Sequence, residues 1–441
     1  MRIGFWIKNA RNIALPQSLL PCLTAIVLCI GEEGFVWWLA IPVILGVCAA
    51  HLGMNLADDY FDYKHDSRTR ADISSTSIRA RMEKCHYLGP SPALPEGGSE
   101  IAAKAAVDGR SAAPVDGRTP QSHSDSSPIN KGAEEERGEG TPQSHSDSSP
   151  INKGAEEAKG ERLEVKGERL EEKATLSELG WAIVGFLAFA AAMGGIVLVA
   201  QWLLHGWQAT MGMVIYAILG LIIGINYSGK PLELGYHGLG ELVIGMMFGP
   251  LLMLGVQAAL TGNPFTWEML CMSVGIGCMV TNIVYVHSVM EVKADAELGK
   301  MTFARLFFEA KSIGTPQSHS DSSPINKGAK RGERLMVIFI GVFAMMPFVM
   351  LSLGIAMGWW SAWYLLTLAT LPMSVYLIHS TRLFAYGLPR EDTPHWWMGP
   401  MGNWEGYKKV GIDWFLYRWL LARNICTFFC LILMIVCLVL R

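Results

Sequence analysis

The chain has 441 residues, a formal net charge of −3 and 51% hydrophobic residues, with 15 Trp and 23 Met. Its mean hydropathy of +0.28 and its repeated apolar runs of roughly 20 residues are what a bilayer core demands. They exclude the three soluble domains that length alone would favour. The nine cysteines form no Cys-x-x-Cys pair, which argues against zinc ligation and a disulfide framework. No nucleic-acid partner is expected.

Taken in order, the apolar runs predict an all-α, multi-pass membrane protein of about nine transmembrane helices. They fall at roughly 14–31, 35–62, 176–203, 209–227, 237–261, 267–290, 335–357, 361–380 and 417–440. Arg2, Lys8 and Arg11 precede the first run without a small-residue cleavage pattern, so no removable signal peptide is expected. The connections 31–35, 204–208, 261–266 and 357–361 carry no Lys or Arg. The alternate connections hold Lys64, Lys230, Lys293, Lys300, Arg382, Arg390, Lys408 and Lys409. Lysine and arginine in short loops mark the cytoplasmic side, which places the N-terminus there in a cell (inner) membrane. Arg441 is the exception, at the far end.

The second run ends in Asn55-Leu-Ala-Asp58-Asp59-Tyr-Phe-Asp62-Tyr-Lys-His-Asp66. On a helix, Asn55, Asp59, Asp62 and Asp66 stand at i, i+4, i+7 and i+11, on one face, and Asp58 starts a second row with Asp62 and Asp66. Carboxylates that close repel one another unless a cation lies between them. Hard oxygen ligands suit Mg2+, which is usually shared with a phosphate-bearing substrate.

Residues 67–175 break the membrane pattern. The stretch Thr119–Ala133 recurs unchanged at 141–155 and again at 315–329. These copies are rich in Ser, Pro, Asn and Gly and lack an apolar face to stack, so they read as disordered inserts and not as a solenoid. The organisation expected is helices 1–2 in 1–66, an insert at 67–175, helices 3–6 in 176–311, a second insert at 312–334, and helices 7–9 in 335–441.

The fourth run ends in Asn226-Tyr227-Ser-Gly-Lys230-Pro231, followed by Leu-Glu-Leu-Gly-Tyr-His237-Gly-Leu-Gly-Glu241. Gly and Pro enforce a tight re-entry there, and Lys230 and His237 offer charge or protons at the rim. The sixth run ends in His287-Ser-Val-Met-Glu291-Val-Lys-Ala-Asp295, with Lys300 and Thr302 just beyond. Glu291 and Asp295 stand at i, i+4 on a helix leaving the membrane on the same side as the first acidic group. Two such helix ends, with Lys230 and Lys300 near, would hold a diphosphate bridged by Mg2+. The Trp-rich loop 381–413, with Trp396, Trp397 and Trp404, reads as an interfacial belt. Arg423 and Asn424, polar within the last run, read as snorkelling or hydrogen-bonding residues.

These residues resemble the UbiA-type intramembrane prenyltransferases. That family's first signature, Asn-Asp-x-x-Asp-x-x-x-Asp, is matched by Asp58-Asp59-Tyr-Phe-Asp62-Tyr-Lys-His-Asp66, with Asp58 in place of Asn. Its second, Asp-x-x-x-Asp, is matched by Glu291-Val-Lys-Ala-Asp295, with Glu for the first Asp. Within the family the chain is most similar to 1,4-dihydroxy-2-naphthoate polyprenyltransferases of menaquinone synthesis, through Leu15–Pro21, Asn55–Tyr63, Leu234–Glu241, Phe248-Gly-Pro250 and Gly299–Thr302. The usual Asn-Asn-x-Arg-Asp ahead of the second motif is His287-Ser-Val-Met-Glu291 here, which loses the Arg and leaves the acceptor open.

The resemblance implies an Mg2+-dependent transfer of a polyprenyl group from its diphosphate to an aromatic acceptor. Asp58, Asp59, Asp62 and Asp66 would hold one metal, and Glu291 and Asp295 a second. Asp59, Asp62 and Asp295 would be the catalytic acids. Asn55, Tyr227, Lys230, His237 and Lys300 would bind substrate. Other acceptors stay open, namely 4-hydroxybenzoate, homogentisate, haem or a lipid. So do a cation-coupled transporter and a degenerate scaffold, although transporter acids belong near the bilayer midplane and these gather at helix ends. Insertions in surface loops cost little stability, so deleting 100–172 and 314–332 is expected to leave activity intact. Membranes carrying the deleted and the full chain should show equal turnover.

Overall fold

A computed structural model of the chain describes residues 3–66, 174–297, 300–307, 327–386, 388, 393–402 and 413–441. Among them, ten α-helices run in chain order and no strand occurs, while His237 and Met301 form an isolated bridge. They are α1 (Ile3–Asn9), α2 (Pro16–Cys29), α3 (Ala40–Asp66), α4 (Leu176–Ser228), α5 (Gly240–Met246), α6 (Leu252–Thr261), α7 (Trp267–Glu297), α8 (Lys327–Ala356), α9 (Leu371–Ala385) and α10 (Asp413–Leu440). Most of the two expected inserts, with Trp404, lies outside the described residues.

Seven stretches of the described residues are long and apolar enough to cross a membrane: Trp37–Phe61, Leu176–Ser228, Gly240–Thr261, Trp267–Val292, Gly332–Ala356, Ala362–Ala385 and Phe415–Leu440. The expected count was nine, and two features account for the difference. Helix α4 has 53 residues, about 80 Å at 1.5 Å per residue, against a bilayer core of about 30 Å. Within it Gly206 has φ 77 and ψ 176, a conformation glycine reaches freely, and the break separates two lengths matching the third and fourth runs. Helix α2, with 14 residues, is shorter than the first run predicted.

Two expected boundaries shift. Thr175 caps α4, accepting from the Glu178 amide at 3.2 Å while Glu178 accepts from the Thr175 amide at 2.7 Å, and Ala174 is buried beside Trp6, Leu52 and Leu56. Helix α4 thus begins at Leu176 as the apolar run predicts, while its cap and the first buried residue, Ala174, lie just inside the expected insert. Helix α8 starts at Lys327, inside the second insert as read from sequence, so the deletion there is properly confined to 314–326.

Successive spans run in opposite directions. Ser228, at the end of α4, reaches Asp58 near the end of α3, while Arg441, after α10, donates to the Leu28 carbonyl at the end of α2. One end of the bundle thus gathers the acidic motifs and the other the connections without Lys or Arg. Helix α7 is the central element: 78% of its most apolar window is buried, against 11% for α4. Helix α4 exposes Trp181, Leu203, Leu221 and Ile225, and a helix apolar all round is stable in that position only against lipid.

The span Gly240–Thr261 contains a π-helical turn, Met247–Leu251, around Pro250. Proline supplies no N–H to the α-helical ladder, and the wider turn accommodates that loss. The turn presses on α7 closely enough that a Cβ on Gly249 would lie 2.5 Å from the Gly277 Cα and 2.5 Å from the Ser273 carbonyl. Gly249→Val is expected to destabilise the protein by about 1–3 kcal/mol through overpacking against backbone, read as a lower thermal midpoint in detergent. An unchanged midpoint would exclude this close approach.

Candidate functional site

Helix α3 stays helical through all four acids of the first motif. Asp59 is fully buried and Asp58 partly so. Taking carboxylates out of water is costly without a compensating charge, and Arg11 supplies it. Its guanidinium donates to Asp58 Oδ2 at 3.1 Å and, more closely, to Asp59 Oδ1. Ser228 Oγ donates to Asp58 Oδ1 at 3.0 Å, and Asn55 Nδ2 donates to the Ala10 carbonyl at 2.9 Å. Three segments remote in sequence therefore meet at these two acids: the turn after α1, the end of α3 and the end of α4. Arg11 itself has φ 54 and ψ 49, a left-handed conformation uncommon for a side-chain-bearing residue. Strain of that kind persists where surrounding contacts over-determine it, often at functional sites.

The second motif is held differently. Asp295 is buried, and its backbone carbonyl accepts from Lys300 N at 2.9 Å and Arg305 Nη1 at 3.0 Å. Arg305 also donates to the Lys300 carbonyl, so one guanidinium closes the loop behind α7. The Lys300 ammonium lies over the Tyr236 ring, 5.2 Å from its centroid, a cation–π contact that holds the charge at the rim. Glu291 is half exposed and lies 3.5 Å from His287 Nδ1. Helices α3 and α7 both pack against α2.

The connection between α4 and α5 is tied to the loop after α7. Gly238 N donates to the Met301 carbonyl at 2.7 Å. The buried Glu241 carboxylate accepts from the Phe303 amide at 2.9 and 3.1 Å and from the Ala304 amide at 3.5 Å. Tyr227 packs beneath this connection, its ring carbons 3.4 Å from where a Gly235 Cβ would stand.

Of the residues singled out from sequence, Asp58 and Asp59 meet Arg11 while Asn55 ties the preceding residue Ala10, and Lys300, just after α7, donates its amide to the carbonyl of Asp295 on that helix. His237 is exposed, and its ring donates to the Glu233 carbonyl at 2.9 Å. Lys230 is exposed on the same connection. The side chains of Asp62 and Asp66 lie outside the described residues. Sequence reasoning overlooked Arg11, Ser228, Glu241 and Arg305. The signal for Arg11 is present in the sequence, a cation just before the first apolar run, but as a local pattern it marks only sidedness. In the Trp-rich loop, Trp396 is largely exposed, while Trp397 packs on Tyr376 at 5.1 Å and on His395 at 5.8 Å. Asn424 donates to the Met398 and Pro400 carbonyls at 2.8 and 2.9 Å, and the Arg423 guanidinium lies over Trp419.

No group of three or more His, Cys, Asp or Glu side chains set for a metal occurs among the described residues. The donor chemistry at the α3 end nevertheless fits a hard divalent cation: two adjacent carboxylates already share a positive charge, and Asp62 and Asp66 continue the same helix.

Three curated proteins are similar to parts of the chain. The UbiA prenyltransferase domain-containing protein 1 of Dictyostelium discoideum is 27% identical over 133 residues, 26% of this chain and 39% of that protein. The 2-carboxy-1,4-naphthoquinone phytyltransferase of Synechocystis is 33% identical over 95 residues, 21% of this chain and 31% of that protein. The 1,4-dihydroxy-2-naphthoate octaprenyltransferase of Mycobacterium tuberculosis is 28% identical over 113 residues, 26% of this chain and 36% of that protein. The chain thus spans about a third of the length of the curated relatives it matches. No family model matches, and no solved structure does.

Removing one partner of a buried charge pair costs about 3–5 kcal/mol because the other charge is left behind. Arg11 is partly exposed, so Arg11→Gln is expected at the low end of that range. Thermal unfolding in detergent measures it, with Lys8→Gln as the control for an ordinary loss of charge. An Arg11→Gln protein as stable as the control would show that Asp59 does not depend on this cation.

Proposed function

We propose that the chain is a UbiA-type polyprenyltransferase that joins an isoprenoid to 1,4-dihydroxy-2-naphthoate in menaquinone biosynthesis, a reading supported by its partial likeness to three prenyltransferases. The observation that carries this reading is the Asp58–Asp59 pair at the membrane-helix end, with Asp59 fully buried and a cation across both. Such a place attracts positive charge and, through it, the diphosphate of a lipid-tailed substrate. Two of the three relatives are named as naphthoquinone or naphthoate prenyltransferases, which supports the acceptor.

Asp58, Asp59, Asp62 and Asp66 on α3, and Glu291 and Asp295 on α7, would hold Mg2+. When bound, the metal supplies positive charge against the diphosphate oxygens. The protein's own residues do the rest. Lys300, steadied over Tyr236, and Lys230 at the rim bind the outer diphosphate oxygens. The allylic C–O bond breaks with its electron pair leaving on the diphosphate, whose developing charge these groups stabilise. The apolar interior of the bundle receives the isoprenoid and keeps water from the allylic cation. An electron-rich ring carbon of the acceptor forms the new C–C bond, and the carboxylate at that carbon leaves as CO2, returning its electron pair to the ring. The Lys/Arg bias of the short connections supports a cytoplasmic orientation for this end of the bundle, in an inner membrane.

Membranes containing the expressed chain, given Mg2+ and a labelled polyprenyl diphosphate, are expected to convert 1,4-dihydroxy-2-naphthoate and not 4-hydroxybenzoate, and EDTA should stop the conversion. Asp59→Asn and Asp295→Asn should each lose at least about 100-fold in turnover, since metal-borne charge stabilisation is worth several kcal/mol, while the protein remains in the membrane. Turnover surviving either substitution would remove these acids from the site.

A further inference from the structure

His51 is a buried polar residue that the reading above leaves unused. It sits on α3 one turn before Asn55, about 6 Å deeper in the bundle at 1.5 Å per residue. It shares a helical stripe with Asn55 at i+4 and Asp58 at i+7. Only 6% of it is exposed, and neither ring nitrogen has a hydrogen-bond partner. Buried polar atoms are nearly always partnered, so two orphaned nitrogens on one side chain require an explanation. The side chain is not in an arbitrary place either. Its ring lies 5.6 Å from the Phe248 ring at an interplanar angle of 36°, and Phe248 belongs to the π turn Met247–Leu251. That turn is held against α7 by backbone contact at Gly249 and Gly277. π turns inside α-helices frequently mark functional positions.

We propose that His51 and Phe248 form the acceptor subsite, resting on the prenyltransferase reading: the imidazole takes a ring hydroxyl and the Phe248 face takes the ring. A neutral imidazole presents one donor and one acceptor, and a phenolic hydroxyl presents the complementary pair, whereas a carboxylate offers acceptors only. The subsite therefore selects a planar hydroxylated aromatic by its hydroxyl. Its depth below Asn55 sets the ring beside the first carbons of an isoprenoid whose diphosphate is held at Asp58 and Asp59. His51 is then an acceptor-binding residue, distinct from the exposed His237 and His287.

The test uses the full chain in membranes, with steady-state kinetics for each substrate, and purified protein for direct binding of 1,4-dihydroxy-2-naphthoate by fluorescence quenching. His51→Phe keeps an aromatic of similar bulk and removes both nitrogens; His51→Gln restores a donor and an acceptor. His51→Phe is expected to lower kcat/KM for the acceptor about 10- to 100-fold, with the KM for the prenyl diphosphate held within about twofold, and His51→Gln should recover much of the loss. Wild type should reject the 4-methoxy analogue of the acceptor, and His51→Phe should not distinguish it from the hydroxyl form. Equal acceptor binding by wild type and His51→Phe, or loss confined to the prenyl diphosphate, would overturn the subsite. Hydroxynaphthoate binding that depends on His51 in a protein without prenyl transfer would keep the subsite and overturn the transferase reading instead. The thermal midpoint identifies a variant that has merely failed to fold, and His51→Gln then carries the comparison.

Discussion

A carboxylate buried at the end of a membrane helix needs a positive charge beside it, and Asp59, with no exposed surface, has Arg11. This pairing constrains more than two side chains. It requires the turn after α1 to fold back over the end of α3, which Asn55 secures by donating to Ala10. It places Asp58 where Ser228 can reach it, and so fastens the returning half of α4 to the same point. The kink at Gly206 acquires its meaning here, since without that reversal the end of α4 would lie far from the acids. A single electrostatic requirement thus gathers three segments of the chain at one end of the bundle.

The same pairing bears on the point where the first acidic motif differs from the signature it resembles. Where the pattern has Asn, this chain has Asp58, which adds a negative charge to an already crowded site. Arg11 and Ser228 offset that addition by giving Asp58 one charged and one neutral donor. Glu291 is the opposite case: it replaces a shorter acid, stands half exposed, and keeps His287 beside it. The substitution at the first motif is absorbed by partners within the bundle, and that at the second by a neighbour one turn away on the same helix.

Much of the architecture was legible in the sequence because it is written in local patterns. Apolar runs of membrane length, the Lys/Arg asymmetry and the acids spaced along one helical face each need only a short window of residues. The pairings that complete the site are not local. Arg11 and Asp59 are 48 residues apart, Glu241 and Phe303 are 62 apart, and Ser228 and Asp58 are 170 apart. No periodicity reports such contacts. Arg11 is visible as a charge but not as a partner, and nothing in the local pattern around His51 marks it. The π turn at Pro250 was likewise beyond an argument from 3.6-residue periodicity, which counts apolar positions and not backbone hydrogen bonds. The shortfall of α2 and the early start of α8 are boundary effects, where a helix end is settled by its neighbours.

Glu241 carries a consequence for how the protein is made. Its carboxylate is buried at the start of α5, yet the amides that satisfy it, those of Phe303 and Ala304, are synthesised about 60 residues later, once α7 has been produced. Until then that carboxylate can only be satisfied by water. The rim is therefore sealed late, only after Phe303 and Ala304 have been made and the loop beyond α7 has docked on the start of α5.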